Sequence, residues 1–207
     1  MRVLRRTIAL SIICTITAAF TAQADLDFVV DVRPATVLLS SDTDDFEATS
    51  PGDPALGIGR DKEDAGQLSS MPTIRLGVGM DSEERKLYTN LSGGGGLLLN
   101  ERFRSYMLMG DLAVHYKHRK NVSMGPHLSI IGFMDPEWHG DADVELDGDV
   151  GWLLGFEVAI GYDILFVFSI DYMDASFDAS ATAPTRITDT ELDFSGVAIQ
   201  FGMRGNF

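Results

Sequence analysis

Over the thirteen residues from Val150 to Tyr162 the chain alternates. Val150, Trp152, Leu154, Phe156, Val158, Ile160 and Tyr162 fall on one register, and Gly151, Gly155, Glu157, Ala159 and Gly161 on the other. A period of two is the signature of a strand with two unlike faces, and thirteen residues is long for a soluble one. The same period recurs upstream. Ile74, Leu76, Val78 and Met80 alternate with Thr73, Arg75, Gly77 and Gly79, and Tyr106, Leu108, Leu112, Val114 and Tyr116 with Ser105, Asp111, Ala113 and His115.

Reading the chain through on this criterion predicts eight strands, at about 25–40, 70–81, 85–93, 103–118, 121–134, 149–163, 165–178 and 190–207. The connections after the second, fourth and sixth are short, and those after the first, third, fifth and seventh are long. Short turns at one end and long loops at the other mark an antiparallel up-and-down transmembrane barrel of the bacterial outer membrane. Two placements strain the scheme. The segment "RKLYTNLSGGGG" alternates weakly, and Pro126 lies within the fifth strand, where a bulge is expected because proline cannot donate to a ladder.

The N-terminus fits export. Arg2, Arg5 and Arg6 precede an apolar stretch from Thr7 to about Thr21, and Ala22-Gln23-Ala24 matches the small-x-small cleavage rule, so residues 1–24 read as a secretion signal and 25–207 as the barrel domain. Loss of that segment removes three of the sixteen basic residues and none of the thirty-one acidic ones, taking the formal charge from −15 to −18. So acidic a chain lacks the electrostatic attraction that carries nucleic-acid binding. Cys14, the only cysteine, leaves with the signal, so no disulfide is expected.

The last strand, "GVAIQFGMRGNF", places Val197, Ile199, Phe201 and Met203 toward lipid and ends on Phe207. Gln200, Gly202 and Phe207 together resemble the C-terminal signal of bacterial outer-membrane barrels, and the whole chain resembles small barrels of the OmpA, OmpX and OmpW kind. That resemblance implies recognition of the last strand by the barrel-assembly machinery, with outer-membrane lipid and lipopolysaccharide as surroundings.

The opposite register projects Asp27, Asp31, Asp111, Glu157 and Asp171 into the lumen with Arg33, Arg75, Lys117 and Arg204, alongside His115, His127 and Gln200. Eight strands enclose just enough room for side chains to fill, and isolated buried charges are costly. A paired, polar plug follows, with Asp31, Arg33, Arg75, Asp111, Glu157, Asp171 and Arg204 as its charge network. No cofactor or dedicated metal site is expected.

Three further segments suggest chemistry. Residues 135–149, "DPEWHGDADVELDGD", are rich in acids without Lys or Arg. Asp143, Glu145, Asp147 and Gly148 imitate the start of a calcium loop, but Leu154 stands where the bidentate glutamate belongs. A simply solvated acidic hairpin is the expectation, with a diffuse patch that attracts divalent cations from the lipopolysaccharide layer as the alternative. "SGGGGLLLN" reads as a flexible tip in the second long loop whose leucines either pack on that loop or line an entry for apolar molecules, and residues 41–70 read as long and mobile. His127-Leu128-Ser129 puts a base and a hydroxyl on one strand face and resembles the His-x-Ser motif of the lipid A deacylase PagL, with Glu137 or Glu157 as a possible orienting group. In that family the motif lies near the C-terminus and faces lipid, whereas here three strands follow it. The favoured function is a non-catalytic structural or surface-interaction protein, with an OmpW-like conduit for small apolar molecules and a lipid A hydrolase as alternatives.

Overall fold

The computed structural model describes residues 25–40, 42–50, 62–82 and 86–207. The expected signal segment lies outside them. Eight strands form the wall: β1 Asp25–Ser40, β2 Thr73–Ser82, β3 Leu87–Leu99, β4 Phe103–Arg119, β5 Val122–Trp138, β6 Val150–Gly161, β7 Ile164–Asp174 and β8 Gly196–Asn206. Each pairs antiparallel with its neighbours in sequence, and β8 pairs with β1 from Val29↔Asn206 to Ser40↔Gly196, which closes the ring. Phe28 and Phe207 complete the seam by exchanging backbone bonds of 2.8 and 2.9 Å. No described helix is long and apolar enough to cross a membrane; the strands do so.

The outward register meets the requirements of lipid. Leu76, Leu108, Ile130, Leu154, Phe156, Ile170 and Phe201 are all exposed, on β2, β4, β5, β6, β7 and β8. An apolar surface running round a molecule far exceeds the patches that soluble monomers expose. Aromatic residues edge it, with Trp152 and Tyr172 in contact at 5.8 Å on the loop side and Tyr116, Tyr162 and Phe207 on the turn side. Trp152 and Tyr162 are ten positions apart, which at strand rise and barrel tilt is about 26 Å along the membrane normal, close to the roughly 25 Å apolar band of such barrels.

Where the structure departs from strict alternation, the cause is local. In β1 the register against β8 shifts between Val32 and Ala35, so Arg33 and Pro34 bulge. The inward set changes phase there, from Val29, Asp31 and Arg33 to Thr36, Leu38 and Ser40, with Pro34 and Ala35 both exposed. The bulge expected at Pro126 is not formed: β6 pairs straight through it (Phe156↔Pro126), and the shifts in the β4–β5 ladder fall at Arg104/Tyr106 and Lys117/Arg119. Pro126 is exposed beside the buried Gly125, whose missing side chain lets the Val114 carbonyl come close.

The second long loop is also corrected. Gly93 to Gly96 are not a flexible tip but the middle of β3, paired on both sides with β2 and β4, and only residues 100–102 connect β3 to β4. These glycines let the walls approach: a Cβ on Gly94 would lie 2.0 Å from the Ile74 carbonyl oxygen and 2.7 Å from Arg75 Cα. β8 begins at Gly196 rather than 190, and β7 ends at Asp174.

Beyond the apolar band, short strands extend the wall into a cap. Val144–Gly148, Ser176–Ala181 and Glu191–Asp193 pair side by side, and Glu47–Thr49, Lys62–Asp64 and Arg186–Ile187 form a second small sheet. The described parts of 41–70 are therefore built into the cap; the remainder of that loop lies outside the described residues. Asn100 donates to the Gly66 and Leu68 carbonyls and to Ser69, and Glu63 accepts from the Trp138 indole at 3.2 Å and the Asp141 amide at 2.8 Å.

Because a Cβ on Gly94 would run into the Ile74–Arg75 backbone of β2 whereas a Cβ on Gly110 meets nothing within 4 Å, Gly94→Ala is expected to destabilise the barrel by about 1–3 kcal/mol while Gly110→Ala changes it little. Urea unfolding midpoints in detergent measure the contrast; equal midpoints would contradict the close approach of β2 and β3.

Candidate functional site: the filled lumen

The lumen holds two tiers. The lower, toward the short turns, is ionic, and every wall strand except β3 contributes to it. Asp31 stands at its centre. Its carboxylate accepts from Arg33 Nε at 3.1 Å, from Arg204 Nε at 3.0 Å and Nη2 at 2.7 Å, and pairs with Arg75 Nη2 at 3.5 Å. Arg33 and Arg204 both reach across to Glu157 on β6, Arg204 at 2.8 Å with Arg33 in direct contact. Arg75 bonds Asp111 at 3.0 Å on the other side. All six residues are buried. Asp31 and Arg33 share one face by ordinary alternation, just before the phase changes at the β1 bulge.

A second half continues round the wall. His127 Nδ1 lies 3.2 Å from Asp111 and Nε2 2.5 Å from Asp171. A ring with a carboxylate at each nitrogen donates to both only as the imidazolium. Asp171 also accepts from Ser169 at 2.8 Å and Gln200 at 2.7 Å, while the Gln200 carbonyl accepts from Arg33 at 3.1 Å. Three arginines and His127 thus face four carboxylates, Asp31, Asp111, Glu157 and Asp171. His115 lies 3.1 Å from Glu157 and 3.3 Å from Ser123. Lys117 and Asp27, also projected inward from sequence, sit apart from this cluster at the rim, where Lys117 pairs with Asp81.

The upper tier is apolar, which corrects the expectation of a plug that is polar throughout. Leu38, Leu98, Met107, Ile131, Leu153, Met173 and Ala198 close the lumen above the ions and continue into the cap. There Phe103 packs on Phe177 and Phe194 at 4.7 and 4.6 Å, and Phe133 on Phe177 at 4.9 Å. The apolar members of the cap were not assigned from sequence, although Phe177, Leu192 and Phe194 alternate with polar residues and carry that signal. Leu98, one of the three leucines considered as an apolar entry, is a fully buried part of this seal.

The His-x-Ser pair does not form a nucleophile and base. Ser129 Oγ donates to Asp111 at 2.6 Å, and His127 is held between Asp111 and Asp171. Both side chains are buried in the lumen while Leu128 and Ile130 face out. Neither candidate orienting acid approaches the pair: Glu157 engages Arg33, Arg204 and His115, and Glu137 pairs with Arg104 at 2.6 Å on the outside. The calcium-like stretch is strand: Glu145 stands opposite Ser180, and Asp147 opposite Asp178, which in turn faces Glu191. No group of three metal-ligating side chains is placed to hold a cation among the described residues.

The three proposed assembly residues occupy different environments. Gln200 belongs to the ionic tier. Gly202 lies opposite the β1 bulge, where a Cβ would come within 2.5 Å of the Val32 carbonyl oxygen. Phe207 is exposed at the seam.

Asp31→Asn keeps the volume but leaves Arg33, Arg75 and Arg204 short of their shared counter-charge, at an expected cost of about 3–5 kcal/mol. Lys62→Ala, which breaks the exposed pair with Glu47, should cost less than about 1 kcal/mol. Equilibrium unfolding of both variants in detergent tests this, and a neutral Asp31→Asn would refute the central role of Asp31.

No family model matches the chain, and no curated protein matches it. Among solved structures, the chain is similar to the outer membrane protein OprG from Pseudomonas aeruginosa, at 14% identity and a TM-score of 0.47 over 89% of this chain and 97% of that one. It is similar to the outer membrane protein AlkL in lipid bilayers, at 12% identity and 0.46 over 87% and 90%. It is also similar to Neisserial surface protein A, at 12% identity and 0.43 over 89% and 99%.

Proposed function

We propose that this outer-membrane barrel is a closed, non-catalytic protein whose working surface is its ordered acidic cap, in a structural or surface-interaction role. The observation that carries this reading is the packing inside the wall: a tier of buried ion pairs lies below a continuous apolar one. A conducting path would have to break both at once. The apolar-conduit alternative loses its sequence basis, because Leu97 to Leu99 belong to β3 and Leu98 is part of the seal. Hydrolysis of lipid A lacks a route for acyl chains to Ser129 through a wall paired on both sides.

Purified protein in planar bilayers should show negligible ion conductance. Long-lived open channels in the unmodified protein would refute the closed-lumen reading.

Lipid and lipopolysaccharide are the proposed surroundings, and divalent cations gathered loosely by the exposed acids of the cap are proposed to bridge the two. Gln200, Gly202 and Phe207 are proposed as the signal read by the barrel-assembly machinery. Phe207 contributes one interfacial ring and one pair of seam bonds, so its deletion should cost a folded barrel only a few kcal/mol at most yet sharply lower the amount assembled in cells. Normal outer-membrane levels of the truncated chain would contradict the signal.

A further inference from the structure

Beneath the ionic tier the turn end of the barrel opens into a polar cavity of about 290 Å³, lined among others by Asp27, Tyr88, Lys117, Ser123 and Asn206. Its roof is thin. Ser123 is bonded to His115, which stands against Glu157, and the Tyr88 hydroxyl donates to Asn206 at 3.3 Å. Above Tyr88, on the inward face of β3, lie Asn90 and Ser92. Both are buried, and among the described residues neither the Asn90 amide nor the Ser92 hydroxyl has a protein hydrogen-bond partner. Arg75 Nε on β2 and Asp111 Oδ2 on β4, the strands to either side, also lack one among the described residues, as does Arg204 Nη1 on β8. Ser92 lies opposite Asp111 and Gly77, and Asn90 opposite Ala113 and Gly79, so the surrounding inward positions are small or already committed to ions.

Buried polar groups are almost always satisfied, by protein or by ordered water, and water enters a cavity only where several polar partners converge. Here donors and acceptors without protein partners, on Arg75, Asn90, Ser92 and Asp111, converge along the side of the lumen formed by β2, β3 and β4. The other ionic contacts fill the opposite side, and the apolar tier of Leu98, Met107 and Ile131 lies above. We propose that the barrel contains a blind, water-filled well. It opens at the turn end, passes Ser123 and Tyr88, runs along Asn90 and Ser92 to the edge of the Arg75–Asp111 pair, and ends under the apolar seal. Solvent and small hydrophilic solutes therefore reach the ionic tier from one side of the membrane only. The lumen is closed to passage and open to water.

Single cysteines test the well, because Cys14 is the only native one and a Cys14→Ser background removes it. Ser123→Cys, Ser92→Cys and Ile131→Cys would be treated in the folded barrel with a small cationic methanethiosulfonate, each variant first checked for a gel shift on heating. Ser123→Cys should react fastest, Ser92→Cys measurably, and Ile131→Cys at least tenfold more slowly than Ser92→Cys. Adding Ser123→Trp should then slow labelling at Ser92→Cys at least tenfold in a barrel that still shifts on heating. Reactivity at Ser92→Cys no greater than at Ile131→Cys would overturn the well, as would reactivity unaffected by Ser123→Trp. If Ser123→Trp does not fold, Tyr116→Cys on the lipid face and Ala113→Cys on the inward face replace it. Ala113→Cys labelled faster than Tyr116→Cys supports the well, and the reverse order refutes it.

Discussion

Everything in this molecule depends on closure of the wall. Lipid offers no hydrogen bonds to a strand edge, so a spanning sheet must pair its first strand with its last or leave a row of unsatisfied amides in hydrocarbon. Here β8 closes on β1 along most of its length, finishing with the Phe28–Phe207 exchange. Once eight strands are closed, the interior is too narrow to be empty and too enclosed to be bulk water. Most of the inward side chains then satisfy one another.

They do so by two physically different means. Near the turns, charge balances charge: Asp31 and Glu157 are shared among arginines, and Asp111 and Asp171 hold His127 between them. Buried ion pairs rarely add net stability compared with an apolar core of the same shape, but removing one member leaves a stranded charge. The network therefore resists piecemeal change and ties the strands together across the lumen. Toward the loops the interior becomes an ordinary apolar core, and because it continues into the Phe103–Phe177–Phe194 cluster, the cap and barrel share it. The cap is in effect the upper part of a single packed body, with most of its acidic residues left on the outside and Glu63 buried within.

The bulge at Arg33-Pro34 links these levels. Proline lacks a ladder donor, so the register slips beside it, and the slip changes which face of β1 points inward. Asp31 and Arg33 end the ionic tier of this strand, and Leu38, beyond the bulge, belongs to the apolar one. One residue of irregular backbone thus coincides with the boundary between two kinds of interior.

Sequence by itself determined the strand count, the transmembrane class and the wall's outer face, because a period of two assigns faces without knowledge of partners. It misjudged Gly93 to Gly96, since a glycine run carries no alternation to read and its role is defined by what approaches it, the Ile74 carbonyl from β2. Pro126 misled for a similar reason: a bulge depends on whether the ladder must shift, and the ladder is made by β4 and β6. Which carboxylate meets which arginine, the division of the lumen into ionic and apolar tiers, and the unpartnered amide of Asn90 were decided only by the tertiary structure. Those features arise where side chains from strands distant in sequence meet across a closed space, and no spacing along the chain records the shear at which the ring closes.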